Sequence, residues 1–317
     1  MSYRIAVLDL GTNTFNLLLA DMTEDSYSVI YSDKLPVKIG CGGINEGIIS
    51  IEAKERAMDA LSQYKRIIDL YGVKKIYGYA TSAFRNAVNG KALRDEIEKR
   101  FGFDIKIISG EVEANFIYCG VKDAMDLGND PVLIMDIGGG SVEFIIGNNK
   151  KAHWKKSYEI GAQRLLDKFH HIDPIPDSEI ENLEKYFNEI LDELFSELKK
   201  YNVDTLVGSS GSFDTLSEIY CAENKIHFDH DAHEFPLDME HYKEIHEELI
   251  LKNKEERLQI PGMIEMRVDM IVVASCLINF IINKFDIQNI RVSSHSLKEG
   301  MLDLIRKELF HQEKIAV

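Results

Sequence analysis

Cysteine is scarce in this sequence, and the four cysteines are widely separated. Cys41, Cys119, Cys221 and Cys276 form no CxxC pair. Their spacing therefore indicates neither a zinc site nor a disulfide framework. We expect all four to be reduced residues of the core.

Long hydrophobic runs are also missing. The most apolar segment, Met270 to Ile282, is shorter than the roughly 20 residues that a membrane span needs, and Asp269 adjoins it. We expect a buried helix there and no contact with a membrane. The start of the chain runs from Arg4 directly into IAVLDLGTN and lacks the features of a secretory signal, which predicts a cytoplasmic protein.

Basic residues are in deficit, and the deficit is local. The chain has 37 Lys and Arg against 53 Asp and Glu, a net charge of −16, and residues 173–256 alone hold 7 against 23. Nucleic-acid binding, which needs a basic surface, is not expected. An anionic substrate should enter away from this acidic block, which we interpret as a solvated helical surface or, alternatively, a partner site.

Length and pattern predict a two-domain α/β protein. At 317 residues the chain exceeds what one core usually organises, and domains of about 150 residues suggest two. Helical spacing over residues 51–71 and 91–100 alternates with strand-like segments at 75–84 and 105–108, and a further helix opens near Ser109. A long amphipathic helix is predicted from Ile180 to Leu198. Two domains imply a cleft between them.

The clearest feature is an internal repeat. LDLGTNTFNLLL at residues 8–19 and MDIGGGSVEFII at 135–146 align without gaps at an offset of 127. Each reads as a strand, a glycine turn and a second strand. Because phosphate oxygens need several converging N–H donors, and glycine permits close approach, the repeat predicts two phosphate-binding hairpins. Thr12, Asn13, Thr14 and Ser141 add side-chain donors.

Carboxylates accompany these hairpins. Asp9, Asp136 and Glu143 are candidate ligands for Mg²⁺, which prefers a few carboxylates together with water and substrate phosphates. Asp136 and Glu143 should lie on adjacent strands of one hairpin. Glu111 and Glu113 fall in the first turn of the helix near Ser109, where the helix dipole favours acids in any case. In a cleft beside other carboxylates, either would be a candidate base.

Two further segments fit anion binding. Arg85, in ATSAFRNA, follows a strand and carries the planar fork that matches phosphate. The glycine and serine turn of VGSSGS leads into a helix and predicts another anion site. This turn consists of Gly208, Ser209, Ser210, Gly211 and Ser212. HFDHDAHE at 227–234 is rich in metal-ligand residue types but lies in an acidic, loop-like tract, so we assign it no metal.

Together these segments resemble the exopolyphosphatase and guanosine pentaphosphate phosphohydrolase (Ppx/GppA) family, within the wider actin-like ATPase superfamily. LDLGTNTFNL is similar to its first phosphate loop, ATSAFRNA to its arginine motif, SGEVEA to its catalytic glutamate motif and DIGGGSVE to its second phosphate loop. VGSSGS, PGMIEMRVDMI and VSSHSLKEGML follow in the same order. The resemblance departs at Lys298, where the family commonly has Arg, and at Val112, where it often has Glu.

The resemblance implies two actin-like, ribonuclease H-like α/β domains flanking a cleft. The first would comprise residues 1–124 with a C-terminal helix at 301–317, and the second 125–300. It further implies that Glu113 is the general base and that Asp136 and Glu143 assist, with Mg²⁺ as cofactor. The residues that it implies hold phosphate are Thr12, Asn13, Arg85, Gly138, Gly139, Gly140 and Ser141. Its short two-domain form suggests a weaker grip on long chains.

The implied reaction is release of a terminal phosphate from inorganic polyphosphate or from guanosine pentaphosphate, by a protein expected to be a homodimer. Two alternatives stay open. One is an ATP-dependent kinase for a small molecule on the same fold, with its base pocket near Gly208 to Ser212. The other is a noncatalytic sensor that binds guanosine polyphosphates and signals to a partner.

Overall fold

The computed structural model of this chain describes residues 2–311 as two β-sheets with helices packed against their faces. The strands are β1 (Tyr3–Leu10), β2 (Phe15–Met22), β3 (Tyr27–Leu35), β4 (Lys75–Ala80), β5 (Ile105–Ile107), β6 (Val132–Ile137), β7 (Val142–Gly147), β8 (Ala152–Tyr158), β9 (Thr205–Ser209), β10 (Glu234–Phe235) and β11 (Asn289–Ser293).

The helices connect these strands and flank both sheets. They are α1 (Ile51–Leu70), α2 (Ser82–Asn86), α3 (Gly90–Phe101), α4 (Gly110–Ala124), α5 (Ala162–Phe169), α6 (Asp177–Ile190), α7 (Asp192–Leu198), α8 (Gly211–Glu223), α9 (Met239–Leu251), α10 (Lys254–Arg257), α11 (Met270–Phe285) and α12 (Leu297–His311). A short 3₁₀ turn covers Glu265–Arg267.

The two sheets repeat one topology. The first has the order β3-β2-β1-β4-β5 and the second β8-β7-β6-β9-β11, with β10 added at the edge. In each sheet the first three strands form antiparallel hairpins, and the next two run parallel to the central strand. Such a parallel connection needs a crossover helix, which α1 and the α5–α7 segment provide. The chain therefore has the predicted α/β fold of two actin-like halves.

The central strands are apolar because helices cover both faces of each sheet. Every residue of β6 and β7 is buried. In the first half, α1 and α3 pack on one face of the sheet, and α4 and α12 on the other. In the second half, α5, α6, α8, α9 and α11 build the largest core. The predicted buried helix at Met270 is α11, which is buried along most of its length.

Helix α4 joins the two halves. Phe116 packs with residues of β1 and β2, whereas Ile117 and Val121 pack with residues of β6, β7 and β9. Helix α12 crosses α4 at Gly120 and Gly300, where a Cβ atom on either glycine would collide with the backbone of the other helix. Glycine at both positions thus permits the close crossing that fixes α4 between the sheets.

Three sequence expectations differ from the structure. The strand predicted for 75–84 ends at Ala80, and Ser82 already begins α2. The predicted helix from Ile180 to Leu198 is divided at Leu191, which leaves helical geometry and separates α6 from α7. Cys41 is exposed and Cys119 half-buried, so only Cys221 and Cys276 are the core residues that we expected.

Other expectations for the ends of elements hold. Ser109 caps α4, because its side chain accepts a hydrogen bond from the Val112 N–H. Helix α12 returns to the first sheet, as predicted for the C-terminal segment, although residues 312–317 of that prediction lie outside the described residues. The boundary between domains near residue 124 stays a prediction. Within residues 2–311, none of the helices combines the length and apolar character needed to cross a membrane.

Candidate functional site

The β1–β2 and β6–β7 hairpins turn in the same way. The Gly11 N–H donates to the Thr14 carbonyl at 3.1 Å, and the Gly138 N–H donates to the Ser141 carbonyl at 3.0 Å. These four residues stand at equivalent positions of the sequence repeat, 127 residues apart. The duplication seen in the sequence is therefore a duplication of backbone geometry.

The two turns face and touch each other. A Cβ atom on Gly139 would collide with the Asn13 side chain, and one on Gly140 would collide with the Thr12 and Ser82 side chains. Only glycine lets the second turn approach the first this closely. The two predicted hairpins therefore meet where the sequence predicts a cleft between two domains.

A polar cavity of about 180 Å³ lies between the turns. Its wall includes Gly11 and the predicted residues Asp9, Thr12, Asn13, Thr14, Glu113, Asp136, Gly138, Gly139, Gly140, Ser141, Glu143, Ser210 and Gly211. It also includes residues that we did not predict as site residues, among them Asn16, Lys34, Thr81, Asp214, Arg267 and Lys298. The structure thus brings most of the predicted site together.

The carboxylates of the two hairpins occupy equivalent positions on their strands. Asp9 pairs across its hairpin with Asn16, and Asp136 pairs with Glu143. Asn16 donates a 2.8 Å hydrogen bond to Asp9, whereas Glu143 is a second acid. Burial raises the pKa of Asp9 to about 6, and it raises that of Asp136 to about 6. Burial, with Glu113 and Asp136 nearby, also raises the pKa of Glu143 well above its usual value.

Glu113 and Glu111 point to different places. Glu113 is 6% exposed and lines the cavity, while Glu111 is exposed and lines a separate depression. Burial raises the pKa of Glu113 to about 7, against the opposing effect of Arg85. Of the two candidate bases, therefore, Glu113 has the position in the cleft and the raised pKa that a base working near neutral pH needs.

Arg85 lies behind Glu113 rather than on the wall of the main cavity. Its guanidinium donates to Glu113 at 2.9 Å, to the Ile108 carbonyl at 3.1 Å and to Glu159 at 2.9 Å. Glu159 belongs to the second half of the chain and also accepts a 2.5 Å hydrogen bond from Ser82. In this arrangement Arg85 orients the candidate base and ties the two halves together, and its contact with phosphate stays a prediction.

The third glycine turn contributes only in part. Ser210 and Gly211 line the cavity, and Ser210 has a φ of 73°, a left-handed conformation that is uncommon for a residue other than glycine. Ser209 instead donates a 2.7 Å hydrogen bond to Asp136 and so positions that carboxylate. Gly208 packs against the Phe213 ring, and Ser212 is buried. These last two residues do not reach the cavity.

The basic side chains of the cavity were not predicted as site residues from the sequence. Lys34 comes from β3, Arg267 from the 3₁₀ turn and Lys298 from the first turn of α12. The Arg267 guanidinium packs against Gly211, at the N-terminus of α8. Their signal was weak, because each is a single basic residue far from the other two in sequence. Of the three, only Lys298 was singled out in the sequence, as a departure from the family pattern.

Several polar atoms in this cavity lack partners. Within residues 2–311, Asp9 Oδ1, Thr12 Oγ1 and Asn13 Oδ1 are buried and make no hydrogen bond. Buried polar atoms without partners are costly, which points to a ligand at this place. The described residues contain no group of three acids, histidines or cysteines able to hold a metal by themselves. Mg²⁺ commonly takes one or two carboxylates plus phosphate and water, so Asp9 and Asp136 fit it.

Comparison with known proteins identifies the family. A model of the Ppx/GppA phosphatase family matches residues 18–308, which is most of the chain. The chain belongs to the Ppx/GppA phosphatase family. A crystal structure of an exopolyphosphatase from Cytophaga hutchinsonii is 38% identical and superposes with a TM-score of 0.93, over 99% of this chain and 100% of that one. The suspected resemblance is therefore confirmed.

Relatives in this family carry different names. The chain is 27% identical, over 97% of its length, to a guanosine-5'-triphosphate,3'-diphosphate pyrophosphatase of Pseudoalteromonas translucida, and it spans 60% of that protein. It is 26% identical, over 96% of its length, to a protein of Haemophilus influenzae named as an exopolyphosphatase, of which it spans 91%. Both names denote phosphohydrolases, and they differ in substrate.

Proposed function

We propose that this Ppx/GppA family member removes the terminal phosphate from inorganic polyphosphate or from guanosine 5′-triphosphate 3′-diphosphate, with Glu113 as general base. One observation supports the proposal above the others: two matching glycine turns enclose a polar cavity that also holds a buried glutamate whose pKa is raised to about 7. A sensor would need the turns but not such a glutamate.

The terminal phosphate would lie between the turns. Backbone N–H groups of Gly139, Gly140 and Ser141 and the Thr12 hydroxyl are available as donors on its two sides, and the Asn13 amide, which donates to Met270 Sδ, lies beside them. Lys34, Arg267 and Lys298 lie on the same wall and would take the remaining phosphates of the chain. Positioning and charge stabilisation supply most of the catalysis in phosphoryl transfer, and this cavity provides both.

Glu113 would accept a proton from the attacking water. The water oxygen forms a bond to the terminal phosphorus, the bond from phosphorus to the bridging oxygen breaks, and the shortened phosphate chain leaves with that oxygen. Arg85 holds the Glu113 carboxylate in place through its 2.9 Å hydrogen bond. The base must be ionised for this step, so its pKa near neutrality is suited to the task.

Asp9 and Asp136 would hold Mg²⁺, with Glu143 beside them. Four buried carboxylates in one cavity would otherwise repel a phosphate. When bound, the ion supplies positive charge against the phosphate oxygens at this acidic end of the cavity.

The expected homodimer and the cytoplasmic location stay predictions.

The test is a phosphate-release assay with inorganic tripolyphosphate and with guanosine 5′-triphosphate 3′-diphosphate, with Mg²⁺ and after its removal by chelation. We expect release from at least one substrate and its loss without the ion. Glu113→Gln should lower kcat by about 10²-fold or more, since it removes a positioned base. Glu111→Gln, two residues away in the same helical turn but outside the cavity, is the matched control and should keep normal turnover.

Three results would contradict the proposal. Near-normal turnover by a folded Glu113→Gln variant would show that Glu113 is not the general base. Tight binding of either substrate by the wild-type protein without release would favour the sensor. Formation of ADP from ATP that depends on an acceptor molecule would favour the kinase.

A further inference from the structure

A separate depression lies behind Glu113, on the far side of the wall of the cavity between the turns. Its volume is about 290 Å³. We call it the rear depression, and its lining residues are Arg85, Gly110, Glu111, Lys155, Lys156, Ser157 and Glu159. Glu111 is exposed on its rim, so the rear depression faces solvent.

Two hydrogen-bonded side-chain pairs form the wall between the two spaces. Arg85, in the rear depression, donates to Glu113 at 2.9 Å, and Ser157 donates to Glu143 at 2.6 Å. Both glutamates line the cavity between the turns. A Cβ atom on Gly110 would collide with the Ser157 side chain, so the start of α4 packs closely against β8. The wall is therefore only two side chains thick at these two places.

The cavity between the turns has two ends, which α4 defines. Glu113 lies in the first turn of this helix. Ser296 also lines the cavity, and its carbonyl packs against Gly120, which follows Glu113 by about 10 Å along the helix axis. Lys298 comes two residues after Ser296 in the chain. In the proposed reaction, the terminal phosphate is therefore cleaved at the Glu113 end, and the shortened chain extends toward Lys298.

This arrangement encloses the first product. The orthophosphate forms between the shortened chain on one side and the Glu113 and Glu143 wall on the other. Either the shortened chain leaves first and clears the way, or the orthophosphate passes through the wall. The second route needs a place behind the wall that accepts a phosphate ion.

The basic side chains of the rear depression suit a phosphate ion. Arg85 carries the planar fork that matches phosphate oxygens. Lys155 donates at 3.0 Å to the side-chain oxygen of Asn115, a neutral partner, so its positive charge is available to an anion. Lys156 is paired with Glu193 and contributes less.

The acids of the rear depression do not cancel this charge. Glu111 is exposed, so solvent and salt screen it. Glu159 is shared between two cations, since it pairs with Arg85 at 2.9 Å and with Arg164 at 3.4 Å. A single phosphate ion would therefore be attracted here but held weakly, which suits a group that must leave.

We propose that the rear depression is an exit site for orthophosphate, which leaves before the shortened chain does. The inference rests on the proposed function, since it takes cleavage beside Glu113 as given. The released ion would replace the Glu113 carboxylate on the Arg85 guanidinium and pass between α4 and β8 to Lys155. The shortened chain would stay at the Lys298 end of the cavity until the ion has gone.

The order in which the two products of tripolyphosphate leave tests this inference. The wild-type protein hydrolyses ³²P-labelled tripolyphosphate with Mg²⁺ in excess, in one series with added orthophosphate and in another with added pyrophosphate. The last product to leave competes with the substrate for the free enzyme, whereas an earlier product does not. We therefore expect orthophosphate to lower kcat and pyrophosphate to raise only the apparent KM.

Lys155→Glu places an acid in the exit path. Orthophosphate from solvent should then bind more weakly, so the inhibition constant that describes its effect on kcat should rise about tenfold. Lys155→Ala, which removes the charge without adding an acid, should raise this constant by a smaller factor. Lys151→Glu makes the same change of charge at an exposed position just before β8. It is the matched control and should keep the wild-type constant.

Two results would overturn the exit site. Orthophosphate that raises only the apparent KM would mean that the shortened chain leaves first. Inhibition constants unchanged in both Lys155 variants would mean that orthophosphate reaches the cavity by another route.

Failure of the proposed function would look different, because the wild-type protein would then release phosphate from neither substrate. If only the guanosine nucleotide is hydrolysed, the same series is run with that nucleotide and its own shortened product, and the expected inhibition patterns are the same.

Discussion

Glu113 is subject to opposing influences on its charge. Burial raises its pKa, and Asp9 and Asp136 add to the effect, while Arg85, at 2.9 Å, lowers it. The balance leaves the pKa at about 7. Because the folded chain holds this proton more tightly than the unfolded chain, the contribution of Glu113 to the free energy of unfolding is lost as pH rises through about 7.

The activity should have the opposite pH dependence. A general base must be ionised, so kcat/KM should fall about tenfold per pH unit below about 7. Arg85→Ala removes the cation that favours the charged form, and the midpoint of the profile should move to higher pH. A pH–rate profile on inorganic tripolyphosphate measures both effects.

Arg94→Ala is the control for that experiment, since Arg94 pairs with Asp95 on the surface of α3 and does not contact Glu113. Its profile should match that of the wild type. An unchanged midpoint for Arg85→Ala would show that Arg85 does not set the protonation of the base.

The sequence predicted some residues of the site and not others. Asp9 and Asp136 were predictable because the repeat places an acid before each glycine turn. Lys34 and Arg267 were not, since each reaches the cavity only through long-range folding of an edge strand and a 3₁₀ turn. Arg85 was found by its motif, but only the structure shows that it holds Glu113 and Glu159.

At the scale of helices and strands, the sequence predicted those elements whose structure depends on one short segment of the chain. The hairpins and α1 follow from residue order, turn glycines and apolar spacing over one short segment. The division at Leu191 was missed because the apolar spacing continues through it, and both α6 and α7 bury their apolar sides in the same core. The early end of β4 was missed because TSAF is as compatible with a strand as with the short helix α2.

The crossing of α4 and α12 is the element contact most sensitive to one atom. Gly300→Ala would place a methyl group against the Phe116 carbonyl oxygen, and overpacking of this kind costs about 1–3 kcal/mol. We expect the melting temperature to fall by roughly 2–10 °C. Since α4 carries Glu113, kcat should fall as well when the helix shifts.

Thermal unfolding and steady-state kinetics of the purified variant measure this prediction. Glu308→Ala, at an exposed position of α12, is the control and should stay within about 0.5 kcal/mol of the wild type. A Gly300→Ala variant with normal stability and normal kcat would show that α4 tolerates a wider crossing.

At the scale of the whole molecule, the acidic block at 173–256 borders the candidate site. This block, predicted to repel an anionic substrate, supplies Asp214 to the wall of the cavity between the turns, and Glu218 and Asp231 to an adjoining cavity of about 370 Å³. Lys34, Arg267 and Lys298 lie on the wall of the cavity between the turns, opposite in charge to the acids of the block. The unequal charge distribution seen in the sequence is thus partly a property of the site, which no local pattern indicated.

The two halves meet at the glycine turns, so a phosphate bound between them should stabilise the whole chain. A ligand present at 100 times its Kd adds about 2.7 kcal/mol to the free energy of unfolding. In the Glu113→Gln background, which should bind without hydrolysing, tripolyphosphate with Mg²⁺ should raise the melting temperature by several degrees.

Adding Gly139→Ala to that background tests whether the effect depends on contact between the halves. The methyl group would push against Asn13 and separate the turns. Without ligand the double variant should unfold at a somewhat lower temperature than its parent, because overpacking of this kind costs about 1–3 kcal/mol, so the ligand-induced shift is measured from each protein's own melting temperature. With ligand, its shift should be small or absent. An equal shift in both proteins would mean that phosphate binds to one turn alone, and the shared cavity would then have no role in binding.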